Sequence, residues 1–215
     1  MTEDDYISAH IDPEPAALRA LYRHTHLHRL YPRMCTDHIQ GRLLVMLTRM
    51  VAPRHILELG TFTGYSTLCF AEGMPEGSTI DTVEVDGDYA DDLRELFADT
   101  APGKEISLHI GDAEEIVPEL LARRSYDLVF IDANKRRYPE YYRLIAPALR
   151  EGAYILADNT LWTDKVLDPD AHDPQTEGIR HFNDLVAADP SVEKVIVPVR
   201  DGLTIIRKKF SNFAD

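Results

Sequence analysis

His55-Ile56-Leu57-Glu58-Leu59-Gly60-Thr61-Phe62-Thr63-Gly64-Tyr65-Ser66-Thr67-Leu68 reads as a short buried strand, a glycine turn and the opening of a helix. The apolar Ile56, Leu57 and Leu59 end at Gly60, and apolar residues resume with helical spacing from Tyr65 to Ala71. A strand running through a tight turn into a helix N-terminus brings backbone N–H groups up to a small polar ligand. A dinucleotide site calls for G-x-G-x-x-G, whose second glycine lets the pyrophosphate approach. Here the pattern is Glu58-x-Gly60-x-x-x-Gly64, with Thr61 and Phe62 at the close-approach positions. The plain alternative is an ordinary strand-to-helix turn.

Outward from this stretch the chain alternates strand and helix. The pattern predicts strands at His55–Gly60, Thr79–Val85, Ile106–Gly111, Tyr126–Ala133 and Tyr154–Asp158. Helical spacing falls between them at Tyr65–Glu72, Asp88–Asp99, Ala113–Arg123 and Pro139–Leu149. Strands separated by such helices pair in parallel through right-handed crossovers. A last helix (Thr176–Ala188) leads to strands Val192–Val199 and Leu203–Lys209, and the Asp201-Gly202 step between them is a hairpin signal. Upstream, Pro13 and Pro15 mark the start of a helix with Ala16, Ala17, Leu18, Leu21 and Tyr22 on one face, and residues 1–33 as a whole read as helical. A second helix over Gln40–Val51 turns Leu43, Leu44, Leu47, Met50 and Val51 inward and ends at Pro53. The expectation is one doubly wound α/β domain over 1–215, with a helical addition at 1–51 and a Rossmann-like core at 54–209.

Length and composition are those of a soluble globular domain able to bury a large core. No apolar run is long enough to span a bilayer, and Met1-Thr2-Glu3-Asp4-Asp5 is the opposite of a basic signal-peptide start. Cys35 and Cys69 imply no disulfide framework and fit a reducing cytoplasm. A formal net charge of -14 argues against broad binding to nucleic acid or anionic lipid. His24, His26 and His28 invite a metal reading, but no carboxylate or cysteine completes a ligand set, so they read as a solvated face.

A carboxylate at Glu58 would repel a pyrophosphate but suits a ligand carrying an ammonium and a sulfonium, which is S-adenosylmethionine (SAM). Glu84 ends the second strand, where an acid can accept from both hydroxyls of an adenosine ribose; Asp86 is a rival for that task. Gly111-Asp112-Ala113 ends the third strand and by position faces the adenine edge, though any Gly-Asp turn would look the same.

A second cluster joins Ile131-Asp132-Ala133-Asn134-Lys135 to Ala157-Asp158-Asn159. Both segments follow apolar strands whose carboxyl ends open toward the ligand crevice. Asp132, Asp158 and Asn159 offer three hard oxygen donors with no histidine or cysteine, which favours Mg²⁺ over zinc, with Ca²⁺ or Mn²⁺ as alternatives. The competing reading leaves Asp132 to the cofactor and Asp158-Asn159 to a turn. Lys135, beside a divalent cation, would favour its uncharged amine and can accept a hydroxyl proton; most lysines are simply exposed. Trp162 is placed to wall a flat aromatic acceptor, or else to pack in the core. Met34, in the loop before the second helix, is a candidate for the acceptor mouth.

With these residues in place, the chain resembles the metal-dependent O-methyltransferases of the caffeoyl-coenzyme A and catechol family from about Met34 to Lys209. The similarity rests on Glu58-Leu-Gly-Thr-Phe-Thr-Gly-Tyr-Ser-Thr, Asp132-Ala-Asn-Lys-x-x-Tyr138, Asp158-Asn-Thr-Leu-Trp162 and Asp201-Gly-Leu-Thr. It implies a seven-stranded, mostly parallel sheet of order 3-2-1-4-5-7-6 with strand 7 antiparallel. It implies a SAM site lined by Thr36, Glu58, Gly60, Thr61, Ser66, Glu84, Ala113 and Asp132, to which the glycine turn adds Gly64 and Tyr65, and the end of the third strand adds Asp112. It implies metal ligands Asp132, Asp158 and Asn159, a catalytic Lys135, and a homodimer. Asn134-Lys135-Arg136-Arg137 replaces a more acidic segment common in the family. The expected activity is SAM- and metal-dependent methylation of a vicinal-diol, catechol-like small molecule. Alternatives are a hydroxylated tRNA base as acceptor, drawing on Arg136-Arg137 and Arg207-Lys208-Lys209, or a non-catalytic SAM-binding module.

Overall fold

The computed structural model describes residues 1–98 and 105–211. Three helices open the chain: α1 (Glu3–His10), α2 (Ala16–His28) and α3 (His38–Val51). Strands β1 (His55–Leu59), β2 (Thr79–Glu84), β3 (Glu105–Ile110), β4 (Leu128–Ile131) and β5 (Tyr154–Asp158) then alternate with helices α4 (Tyr65–Gly73), α5 (Ala90–Ala98), α6 (Ala113–Arg123) and α7 (Tyr138–Ile145). Helix α8 (Pro174–Ala188) precedes β6 (Val192–Val197) and β7 (Leu203–Lys208). The strands form one sheet of order β3-β2-β1-β4-β5-β7-β6. Strands β1 to β5 pair in parallel, and β7 runs antiparallel between β5 and β6. The expected mostly parallel sheet with an antiparallel strand 7 is the one observed.

Alternation along the central strands sends side chains into two layers. Leu57, Leu59, Val129 and Ile131 pack with Tyr138, Ile145, Ile179 and Phe182 beneath α7 and α8. Ile56, Leu128, Phe130 and Leu156 face the other way, onto Leu44, Val45, Cys69 and Phe70 of α3 and α4. The helical addition therefore supplies part of one core layer. Its α3 is capped by Asp37, which accepts from Gln40 N at 3.0 Å, and ends at Ala52 in the left-handed region.

Several boundaries differ from the sequence reading for local reasons. The stretch expected to be helical at 1–33 is two helices, α1 beginning with a capping box in which Thr2 and Asp5 exchange bonds. The helix expected from Asp88 starts as a 3-10 turn at Gly87–Tyr89, and its expected end at Asp99 lies outside the described residues. The helix expected to reach Leu149 stops at Ile145. The Asp201-Gly202 step does close an antiparallel hairpin between β6 and β7, with β6 ending two residues earlier than expected. Residues 198–202 make a longer turn with positive φ at Arg200 (47°) and Gly202 (86°). A Cβ on Gly202 would lie 2.6 Å from Leu161 Cγ, so the turn is shaped by the segment after β5.

Candidate active site

At the carboxyl ends of β1, β2, β4 and β5 opens a cavity of about 1470 Å³, larger than the 300–1,000 Å³ usual for one small ligand. It has room for two molecules side by side. Every predicted site residue lines it except Glu58 and Gly64.

The floor is the β1–α4 turn. Gly60 has φ of 96°, and a Cβ there would lie 2.1 Å from the Asp132 carbonyl oxygen, so only glycine lets β1 and β4 open together at this point. Gly64 (φ 86°) caps α4 in the left-handed region, its missing Cβ leaving space for Leu96 and Phe97 side chains. Its role is to shape the turn rather than to face the cavity.

Glu58 departs from expectation. Its carboxylate is fully buried one layer behind the cavity wall and accepts from Ser66 Oγ (2.6 Å), Thr82 Oγ1 (2.7 Å) and Thr67 Oγ1. Burial pushes its carboxyl up to about 7, against the pull of those three donors. Glu58 faces helix α4 and strand β2 rather than offering its charge to a ligand; it holds Ser66 at the rim and cross-links α4 to the sheet. Thr82 also bonds Thr61, with the two hydroxyl oxygens 2.6 Å apart.

Glu84 is buried at the end of β2, with Oε2 accepting from Phe62 N at 2.7 Å and Oε1 from Asp86 N at 2.9 Å. One lone pair on each oxygen is left for a diol. Asp86 Oδ1 accepts from Asp88 N at 3.0 Å, and the residue also lines the cavity. Asp112 caps α6 through Glu114 N at 2.8 Å, with Ala113 buried behind it.

Asp132 and Asp158 stand at neighbouring strand ends. Burial, and next the charge of Asp132, push the Asp158 carboxyl up to about 6, while Lys135 and hydrogen bonds pull it down. Two carboxylates held against their mutual repulsion, beside Asn159 in the left-handed region (φ 58°), are a donor set that a hard cation would relieve. Among the described residues no three His, Cys, Asp or Glu side chains gather as a metal site; the candidate set has two carboxylates and an amide. His24 and His28 lie with ring centroids 4.6 Å apart and tilted by 43°, and among the described residues they belong to no such cluster.

Lys135 is nearly buried, its Nζ 2.5 Å from Asp132 Oδ1 and 2.9 Å from the Tyr138 hydroxyl. Tyr138 is wholly buried, with its hydroxyl 3.0 Å from Ile131 O and 2.9 Å from Asp158 O. Its one proton goes to these carbonyls, so its lone pair accepts from Lys135. Sequence reasoning quoted Tyr138 without giving it a task; the i, i+3 spacing from Lys135 is the signal that was available. Helix α8 approaches just beneath, where a Cβ on Gly178 would lie 2.4 Å from Lys135 O.

Trp162 lines the cavity with its Nε1 buried and unpartnered, and Met34 lines it half-exposed. Tyr65 sends its hydroxyl to Glu14 at 2.7 Å, and Thr36 is buried in the wall.

The profile of the family described as O-methyltransferase matches residues 6–209. The chain is 32% identical over 168 residues to a catechol O-methyltransferase of Niastella koreensis, covering 77% of this chain and 76% of that one. It is 31% identical to caffeoyl-CoA O-methyltransferase 1 of Arabidopsis thaliana, with coverage of 91% and 79%. Among solved structures it superposes on an O-methyltransferase from Bacillus cereus in complex with SAH (TM-score 0.87, 28% identity, 96% of each chain). It also superposes on the O-methyltransferase TomG from Streptomyces achromogenes in complex with SAM (TM-score 0.85, 30% identity, 98% and 100% covered). The chain belongs to the O-methyltransferase family. It is a SAM-dependent O-methyltransferase of the type to which those catechol and caffeoyl-CoA enzymes belong.

Proposed function

We propose that this chain methylates one hydroxyl of a catechol-like vicinal diol, with a divalent cation, most simply Mg²⁺, held by Asp132, Asp158 and Asn159. The observation that carries the reading is the convergence of the buried Asp158 carboxylate, the partly buried Asp132 carboxylate and Lys135 on one edge of the cavity. When bound, a hard divalent cation would acidify the acceptor hydroxyl and compete with Lys135 for Asp132. In its uncharged form Lys135 Nζ takes the acceptor proton on its lone pair, and Tyr138 keeps that nitrogen in register by accepting one of its N–H bonds. Glu84 accepts from the ribose hydroxyls of SAM, while the amides of the Gly60–Ser66 turn, with Thr36, receive its amino-acid end. Asp112 and Ala113 border the adenine. Trp162 and Met34 flank the acceptor ring. Alignment of the two substrates contributes most, up to about 7–11 kcal/mol in favourable cases.

A tRNA acceptor is less well supported. Arg207 pairs with Glu193 and lies over Tyr154, Lys208 Nζ is bonded to Ala146 O and Ser191 Oγ, and Arg137 pairs with Glu114. A merely SAM-binding module has no use for Lys135 beside the carboxylate pair. Assembly as a homodimer and a cytoplasmic location complete the proposal. Exposed Val195 and Ile196 on edge strand β6 support the first, and two buried free cysteines the second. Among the described residues no helix is long and apolar enough to cross a membrane.

The test is transfer of a labelled methyl group from SAM to a panel of catechols and matched monophenols, after chelation and after Mg²⁺ is restored. Transfer to catechols only, lost on chelation and regained with Mg²⁺, is expected. Full turnover in chelator would remove the cation from the reaction.

A further inference from the structure

Gln40 lies in the first turn of α3, wholly buried, far in sequence from every motif of the site. Its amide oxygen accepts from Arg200 Nη1 at 2.7 Å. A guanidinium has no acceptor, so the amide oxygen must face Arg200 and the nitrogen must face the other way. Hydrogen bonding from Gln40 is among the influences that pull the Asp158 carboxyl down, and only the donor end of the amide, Nε2, can exert that pull; Nε2 is buried and has no fully formed hydrogen bond. A buried donor left unmet costs about 1–3 kcal/mol, and the carboxylate it acts on, Asp158, lines the cavity.

Arg200 is itself anchored. Its Nε lies 3.2 Å from Asp37 Oδ2, and its Nη1 lies 3.5 Å from Cys35 O. Asp37 in turn caps α3 at Gln40 N. The guanidinium thus ties the β6–β7 turn to the start of α3 and fixes which end of the amide points at β5.

We propose that Gln40 is a positioning residue for Asp158: its amide, oriented by Arg200, donates through Nε2 to the Asp158 carboxylate and sets the rotation in which that carboxylate receives the cation. The inference rests on the metal-binding reading above. Partners of this kind behind a metal ligand commonly change metal affinity 10–100-fold when removed.

The experiment measures Mn²⁺ affinity by the spin-resonance signal of the free ion, in wild type, Gln40→Met, Arg200→Met and the double variant. SAM affinity by calorimetry reports whether each variant is folded. Gln40→Met is expected to weaken Mn²⁺ binding about 10-fold or more, with SAM affinity held. Arg200→Met is expected to weaken it about threefold, and the double variant to match Gln40→Met within about twofold, because Arg200 acts through the amide. Mn²⁺ affinity in Gln40→Met within about twofold of wild type overturns the proposal, as do single losses that multiply in the double variant. If Gln40→Met loses SAM binding, Arg200→Met carries the test, and unchanged Mn²⁺ affinity there overturns the proposal. A wild type that binds no Mn²⁺ defeats the metal reading and this inference with it, a result distinct from binding that the substitutions leave untouched.

Discussion

Replacing Glu58 with glutamine should change how stability depends on pH more than it changes activity at one pH. The carboxyl is wholly buried, and in the folded protein its pKa stands at about 7 against an ordinary 4.5. The native state therefore holds this proton more tightly than the unfolded state does. Between those two values the native state binds more protons, so stability falls as pH rises through the window and levels off above about 7. At about 1.4 kcal/mol per pH unit the whole window corresponds to about 3 kcal/mol. Because the protein's pI is near 5.0, the practical range starts at about pH 5.5, leaving about 2 kcal/mol to be read. Glutamine keeps the shape and carries no proton to lose, while the hydroxyls of Ser66, Thr67 and Thr82 can turn to meet the amide. Urea unfolding of the metal-free protein at half-unit steps from about pH 5.5 to 8.5, followed by far-ultraviolet dichroism, gives the two curves. The raised Asp158 carboxyl contributes equally to both and cancels in their difference. The difference should move in favour of Glu58→Gln by about 2 kcal/mol with rising pH. Parallel curves would show that the three hydroxyls offset burial completely.

Gly60→Ala should destabilise the fold by about 2–4 kcal/mol and abolish SAM binding by calorimetry, since its Cβ would meet the Asp132 backbone at 2.1 Å in a left-handed conformation. Gly178→Ala would press on Lys135 O and Arg136 Cα; kcat should fall about tenfold or more while SAM affinity holds, and an unchanged kcat would show that Lys135 does not depend on α8. Tyr138→Phe removes the hydroxyl that joins Lys135 to the carbonyls of Ile131 and Asp158. Chemical denaturation should show a loss of about 1–3 kcal/mol, and kcat should drop with little change in SAM affinity.

The sheet was legible because it is built from local signals. Apolar runs at 55–59, 128–131 and 154–158 alternate with helical spacing, and the alternation itself dictates parallel pairing. The candidate carboxylates were legible for the same reason, since Asp132 and Asp158 end or follow such runs. What stayed hidden lies in side-chain direction and long-range contact. Whether Glu58 faces the ligand or α4 depends on the hydroxyls of Ser66, Thr67 and Thr82, a choice no strand pattern encodes. Gln40 reads as one more helix residue until Arg200, from the far end of the chain, fixes its amide. The hairpin signalled by Asp201-Gly202 is present, but the length of its turn, 198–202, is not encoded in that step.

Anomalous diffraction from crystals grown with Mn²⁺ and SAM tests most directly whether this cavity joins a methyl donor to a hard cation. The account predicts one strong peak in coordination contact with Asp132, Asp158 and Asn159, beside the sulfonium of the bound donor. A fully occupied donor with no such peak, or with Mn²⁺ bound only elsewhere, would contradict it.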